Sequence, residues 1–151
     1  MSSATAQPPV TIATGDALTA DQLHGLLRLR VDVFVVEQEC AYAELDGLDL
    51  APGTEHLWIG DAAADDARAT LRILADGEAR RIGRVATARA HRGHGYAGAL
   101  MRQALNHVGE RDVTLEAQTH LEPWYAKWGF TRGGADYVED GIPHVPMRRF
   151  C

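Results

Sequence analysis

Between His56 and Ala88 three segments of strand character follow one another, and no helical period separates them. They are His56 to Gly60, Ala67 to Leu74 and Arg81 to Ala88, joined through Asp61 to Asp66 and Asp76-Gly77-Glu78. The joints are polar and carry Asp or Gly, as hairpin loops do. A parallel pair would need a long crossover, so the three strands form an antiparallel meander. The pattern then switches. Gly95 to Gly109 carries Ala97, Leu100, Met101, Ala104, Leu105 and Val108 at helical spacing, and Val113 to Ala117 reads as a compact strand. A meander followed by a strand–helix–strand crossover gives a mixed sheet and an α+β fold.

The flanks fit the same plan. Val10 to Ala13 predicts a short strand. Thr19-Ala20-Asp21-Gln22 reads as a capping box opening a helix over Ala20 to Val36, with Leu23, Leu26, Leu27, Val31 and Phe34 at helical spacing. From Glu37 the pattern fades until the Pro52-Gly53 turn. Thr119-His120-Leu121-Glu122 is a second candidate capping box before a short helix, Trp124 to Trp128, which Gly129 is placed to end. Phe130 to Val138 and Val145 to Phe150 predict two last strands joined across Asp140-Gly141.

One domain over residues 1–151 suits this length, with residues 1–9 expected to fray. Hydrophobic residues at 46% and charged residues at 24% argue against a disordered chain. No apolar run approaches the ~18 residues of a membrane span, so no membrane partner is expected. The net charge of −6 (15 basic against 21 acidic residues) argues against nucleic acid as a partner. Cys40 and Cys151 lie far apart, which favours a reducing compartment over a disulfide framework. With a polar start that lacks signal-peptide character, they predict a cytoplasmic protein. Neither cysteine sits in a zinc-like cluster, and no metal is expected.

The strongest chemical signal is Arg92-Gly93-His94-Gly95-Tyr96-Ala97-Gly98, between a strand and a helix. Glycines there let a ligand approach the backbone, and the unpaired N–H groups and dipole of the helix start form an anion site. Gly93, Gly95 and Gly98 satisfy a dinucleotide fingerprint, with Glu116 near the place of a ribose-binding acid. The context opposes that reading. The fingerprint should open a βαβαβ array, whereas here a meander precedes it and Ala88 to Arg92 separates the strand from the first glycine. A Walker-type loop is excluded, since no Gly-Lys-Ser or Gly-Lys-Thr follows.

The same segment resembles the pyrophosphate loop of the GNAT N-acetyltransferases, Arg/Gln-x-x-Gly-x-Gly/Ala, with Arg92, Gly95 and Ala97 at its defined positions. Arg81 to Thr87 resembles the strand before that loop, and Trp124-Tyr125-Ala126-Lys127-Trp128-Gly129-Phe130 the later family motif. Leu29 to Gln38 and Glu139 to Met147 are similar to the ElaA-type branch. The resemblance implies a GNAT fold, a mostly antiparallel sheet of six to seven strands flanked by about four helices. It implies acetyl-CoA as cosubstrate and a primary amine as acceptor, in a small molecule or a peptide. GNAT domains commonly pair, so it also allows a homodimer.

Residue by residue, the resemblance assigns the pantetheine arm to the backbone of Val85, Ala86 and Thr87, and the pyrophosphate to Arg92, Gly93, His94, Gly95, Tyr96, Ala97 and Gly98. Gln118 corresponds to a family position that often contacts the cofactor. Tyr125 matches the tyrosine near the thioester sulfur, where a phenol can protonate the departing thiolate; the alternative is an ordinary half-buried tyrosine. The base is less defined. Many relatives place a carboxylate on the strand before the loop, but Arg84 stands in that neighbourhood and no acid lies between Glu78 and Glu110. Glu37, at a helix end, and His144, whose ordinary pKa suits proton transfer, are candidates; each has a structural alternative, and a water relay is a third. The missing carboxylate also motivates a second function, a CoA-binding sensor without turnover. Nothing places a base beside Cys40, so an acyl-enzyme is not favoured.

Charge is unevenly spread. Glu37, Glu39, Glu44, Asp46 and Asp49 crowd one stretch without Lys or Arg, while Arg81, Arg84, Arg89 and Arg92 gather around the glycine-rich loop. The expectation is a basic region where an anionic cofactor docks and an acidic one where a cationic amine enters. A solvated acidic loop is the plainer alternative.

Overall fold

The computed structural model describes residues 8–150; Cys151 and the first seven residues of the expected frayed start lie outside the described residues. The elements are β1 (Thr11–Thr14), α1 (Ala20–Val31), β2 (Glu55–Asp61), β3 (Asp66–Asp76), β4 (Ala79–Thr87), α2 (Tyr96–Val108), β5 (Val113–Gln118), α3 (Glu122–Ala126), β6 (Thr131–Arg132), β7 (Tyr137–Glu139) and β8 (Ile142–Arg149). All eight strands among the described residues join one sheet in the order β1-β2-β3-β4-β5-β8-β6, with β7 also on β8. Every pairing is antiparallel except β4 with β5, across the α2 crossover. The eighth strand arises because the expected Phe130–Val138 strand is two short ones, β6 and β7, separated by residues 133–136.

The two faces of the sheet are covered differently. Leu57, Ile59, Leu71, Ile73 and Ile82 pack with Leu100, Met101, Ala104, Leu105 and Val108 of α2. On the opposite face Leu26 meets Trp58 and Ala62, and Leu29 and Val33 meet Ala86. Alternation along a strand sends neighbours to opposite faces, so β2 and β3 are buried on both. Gly25 allows α1 to sit close: a Cβ there would lie 2.1 Å from the carbonyl oxygen of Ala62.

The Thr19 capping box forms as expected, Thr19 Oγ1 accepting from the Gln22 N–H at 3.1 Å and Gln22 Oε1 from the Thr19 N–H at 3.0 Å. The expected regular helix to Val36 does not persist. Asp32–Glu37 is a π-helical segment, and the Cys40 N–H reaches back to the Val35 carbonyl at 3.1 Å. Such wide turns shift the helix face and concentrate at functional sites. The second expected capping box is absent. Thr119–Leu121 is a 3-10 turn, α3 starts at Glu122 with Pro123 in its first turn, and Thr119 Oγ1 is buried without a partner. Gly129 ends that helix in the left-handed region, φ +90°. Among the described residues no helix is long and apolar enough to cross a membrane.

Candidate functional site

β4 and β5 pair only at their first residues, Arg80 with Val113 and Arg81 with Thr114, and then diverge. A bulge bends β4 within this region. Thr70 and Arg72 of β3 face Ala86 and Gly83 of β4, so β4 carries one extra residue, and Arg84 takes a positive φ of 53°. The divergence leaves Val85, Ala86 and Thr87 without a β5 neighbour and opens a cavity of about 820 Å3. Its wall includes those three residues, Arg92 and Ala97 from the glycine-rich turn, Gln118 and Tyr125, together with Glu37, Tyr42, Arg84 and His144.

The turn into α2 is shaped by Gly93 and Gly95, whose φ values of +85° and +74° are costly for any residue with a Cβ. A Cβ on either would meet nothing within 4 Å, so conformation rather than crowding calls for glycine. His94 and Tyr96 lie beside them with their rings tilted to each other, and no acidic residue stands in the first turn of α2. Gly98 differs. Its φ is ordinary, and a Cβ would make only van der Waals contact with Trp128 at 3.5 Å. A helix start with open N–H groups, beside a strand edge free to pair, fits a diphosphate joined to an amide-bearing arm.

Arg92 does not point into open solvent. Its guanidinium holds both Glu37 carboxylate oxygens at 2.6 and 2.7 Å and also donates to the Thr87 carbonyl. That hydrogen bond holds the Glu37 carboxyl below its ordinary range. Gln118 donates to the Gln38 side chain at 3.2 Å, across the mouth of the divergence. Tyr125 is buried, edge-on to Trp124 and Phe130, and burial pushes its phenol up to about 12. His144 lies opposite Gln118 in the β5–β8 register, its Nδ1 2.7 Å from the Ile142 carbonyl oxygen. Cys40 is buried in the same wall, its thiol 3.4 Å from the Asp140 carbonyl oxygen.

The expected separation into an acidic and a basic surface is overturned. Four of the five acids are paired with arginines from other elements. Glu44 accepts from Arg30 at 2.7 Å and Arg84 at 2.8 Å, and Asp49 from Arg30 at 2.6 Å and Arg72 at 3.1 Å. Asp46 accepts from Arg72 at 2.5 Å and Arg84 at 3.3 Å, and Glu37 is held by Arg92. Of the loop-side arginines, Arg81 also has a partner, Glu116 at 3.6 Å. Three arginines and three carboxylates therefore cancel beneath α1, where a charge buried without an opposite partner would be costly. His56 closes the group, its Nε2 donating to the Asp49 carbonyl at 2.9 Å while burial lowers its pKa. Tyr42 caps it toward the cavity, hydrogen-bonded to Glu44 beneath the Arg84 guanidinium.

Sequence reasoning missed Arg30 and Arg72 as parts of this ionic group, Gln38 as part of the cavity wall, and Tyr137 as the ring stacked on His144. Arg30 carried a usable signal: it follows Leu26 by four residues, on the buried side of α1.

Residues 31–150 match the family model described as Acetyltransferase (GNAT) domain. The UPF0039 protein Rv2851c of Mycobacterium tuberculosis is 46% identical over 136 residues, covering 87% of this chain and 86% of its own length. Protein ElaA of Escherichia coli is 41% identical over 138 residues, covering 87% and 90%. Its crystal structure superimposes with a TM-score of 0.86 over 94% of this chain and 99% of its own. The crystal structure of an acyl-CoA N-acyltransferase from Pseudomonas aeruginosa does so with the same score at 38% identity, over 93% and 99%. A divergent strand pair, a glycine-shaped helix start and these similarities converge: the chain belongs to the GNAT family of acyl-CoA-dependent acetyltransferases, in its ElaA-type branch.

Proposed function

We propose that the protein transfers an acetyl group from acetyl-CoA to a primary amine of a small molecule or peptide, by direct attack in a ternary complex. When bound, acetyl-CoA supplies the acetyl group as a thioester activated toward amines. The observation that carries the reading is the continuity of the cavity. It runs from the α2 start, along the free edge of β4, past Tyr125, to a wall built by the loop before β2 and the β7–β8 hairpin.

The chain's own groups divide the work. N–H groups over Gly93 to Gly98 hold the diphosphate. The backbone of Val85, Ala86 and Thr87 pairs with the extended arm as an added strand and presents donors toward the carbonyl oxygen where charge develops. Tyr125, kept protonated by burial, donates to the departing thiolate. Glu37 and His144 line the same cavity and are the two candidates of this reading to take the proton an ammonium must lose before attack. Cys40 gives its thiol to a carbonyl and has no part in the transfer.

Thiol release across a panel of amines and peptides tests this. The expected result is steady release that depends on the acceptor. In Tyr125→Phe, kcat falls about 100-fold while acetyl-CoA affinity holds. Calorimetry showing no acetyl-CoA binding up to millimolar concentration contradicts it.

A further inference from the structure

Resting on the acetyltransferase reading, we propose that His144 takes the proton from the acceptor ammonium and that Tyr137 is the residue that positions it. The hydrogen bond at Nδ1 fixes the chemistry of the ring. Its partner is the Ile142 carbonyl oxygen at 2.7 Å, and a carbonyl only accepts. Nδ1 therefore carries the hydrogen, and Nε2 of the neutral ring holds a lone pair. His144 is part of the cavity wall. Glu37, the rival, has both oxygens committed to Arg92 at 2.6 and 2.7 Å, which makes it a clamp on the glycine-rich turn.

Orientation comes from β7. Tyr137 and His144 are cross-strand partners, their rings stacked with centroids 5.7 Å apart and planes 21° apart. The Tyr137 hydroxyl donates to Glu116 Oε2 at 2.7 Å, and Arg81 lies 3.6 Å from the other Glu116 oxygen. The imidazole thus rests on a flat shelf fixed at its far end, with its edge bonded to its own hairpin. The titratable groups on the elements around it include Tyr137 on β7, Glu116 on β5, His120 in the turn before α3, Glu139 and Asp140 at the hairpin, Cys40 against that hairpin, and Glu37 in the same cavity wall. In the step, the ammonium N–H bond breaks and its electron pair stays on nitrogen for attack on the acyl carbon. An Nε2–H bond forms, and the imidazolium keeps its Nδ1–H on Ile142.

The test is kcat against pH, by thiol release at saturating acetyl-CoA and acceptor, in wild type, His144→Gln, Tyr137→Leu, Tyr137→Phe and Glu37→Gln. His144→Gln is expected to lose about 100-fold in kcat and its acid limb, with the acetyl-CoA KM held. Tyr137→Leu is expected to lose about tenfold in kcat through a misplaced ring, and Tyr137→Phe, which keeps the stacked ring but loses its Glu116 anchor, to recover part of it. Glu37→Gln keeps the acid limb and raises the acetyl-CoA KM. An acid limb that survives in His144→Gln, or vanishes in Glu37→Gln, overturns the assignment to His144. Wild-type kcat in Tyr137→Leu, or a Tyr137→Phe as impaired as a misfolded Tyr137→Leu, overturns the positioning role. Wild-type protein that binds acetyl-CoA yet releases no thiol with any acceptor overturns the underlying acetyltransferase reading, a result distinct from an altered pH profile.

Discussion

The glycine-rich turn before α2 and the ionic wall beneath α1 both border the cavity, but they are built in opposite ways. The turn is seven consecutive residues acting through backbone, and its shape follows from two glycines with positive φ. The wall is side chains drawn from α1, β2, β3, β4 and the preceding loop, and it exists only once those elements meet. A local backbone device tolerates change elsewhere in the molecule. A network assembled across the fold ties the rigidity of this cavity wall to the stability of the whole domain.

The largest effect should come from breaking the wall. Arg30 is 1% exposed and serves both Glu44 and Asp49. Arg30→Met leaves two buried carboxylates short of a partner and should cost about 3–5 kcal/mol, read as a lower urea midpoint. A midpoint near wild type would show the network to be dispensable.

The contrast explains what the sequence could reveal. The meander, the α2 crossover, the Thr19 cap and the turn were legible because each is written in neighbouring residues. The Asp140-Gly141 turn sets a two-residue hairpin, which is enough to place Tyr137 opposite His144. The acidic stretch misled for a physical reason. Charge counted along the chain shows one sign, while Arg30, Arg72 and Arg84 reach it only through tertiary contact. The π-helical widening after Val31 was likewise hidden, since the apolar spacing there fits an ordinary helix.

A smaller effect should follow from breaking the turn. Gly95→Ala forces a Cβ into φ +74° at a cost of about 1–2 kcal/mol in stability, while distorting the N–H groups we propose for the diphosphate. Acetyl-CoA affinity should fall more than the urea midpoint does, the reverse of Arg30→Met. Equal losses in both variants would erase the distinction between the two regions.

The smallest effect is graded with pH and belongs to the wall. Burial holds His56 below its ordinary 6.5, so the unfolded chain takes up that proton first and stability declines as pH drops below 6.5. The Arg72 hydrogen bond holds Asp46 below 3.8; burial raises Asp49, but Arg30 and Arg72 outweigh it and leave it lowered too. Their contribution is present above pH 3.8 and is lost as pH falls further. Urea midpoints from pH 8 to 3 should therefore decline in two stages, and His56→Gln should flatten only the first. A single stage near pH 4 in both proteins would remove His56 from the account.

The central claim is that the cavity between the diverging strands receives acetyl-CoA, and a crystal structure with CoA bound tests it most directly. The account predicts the diphosphate against the N–H groups of Gly93 to Gly98, the pantetheine arm paired with Val85, Ala86 and Thr87, and the sulfur beside Tyr125. CoA bound elsewhere on the protein, with this cavity left open, would contradict it.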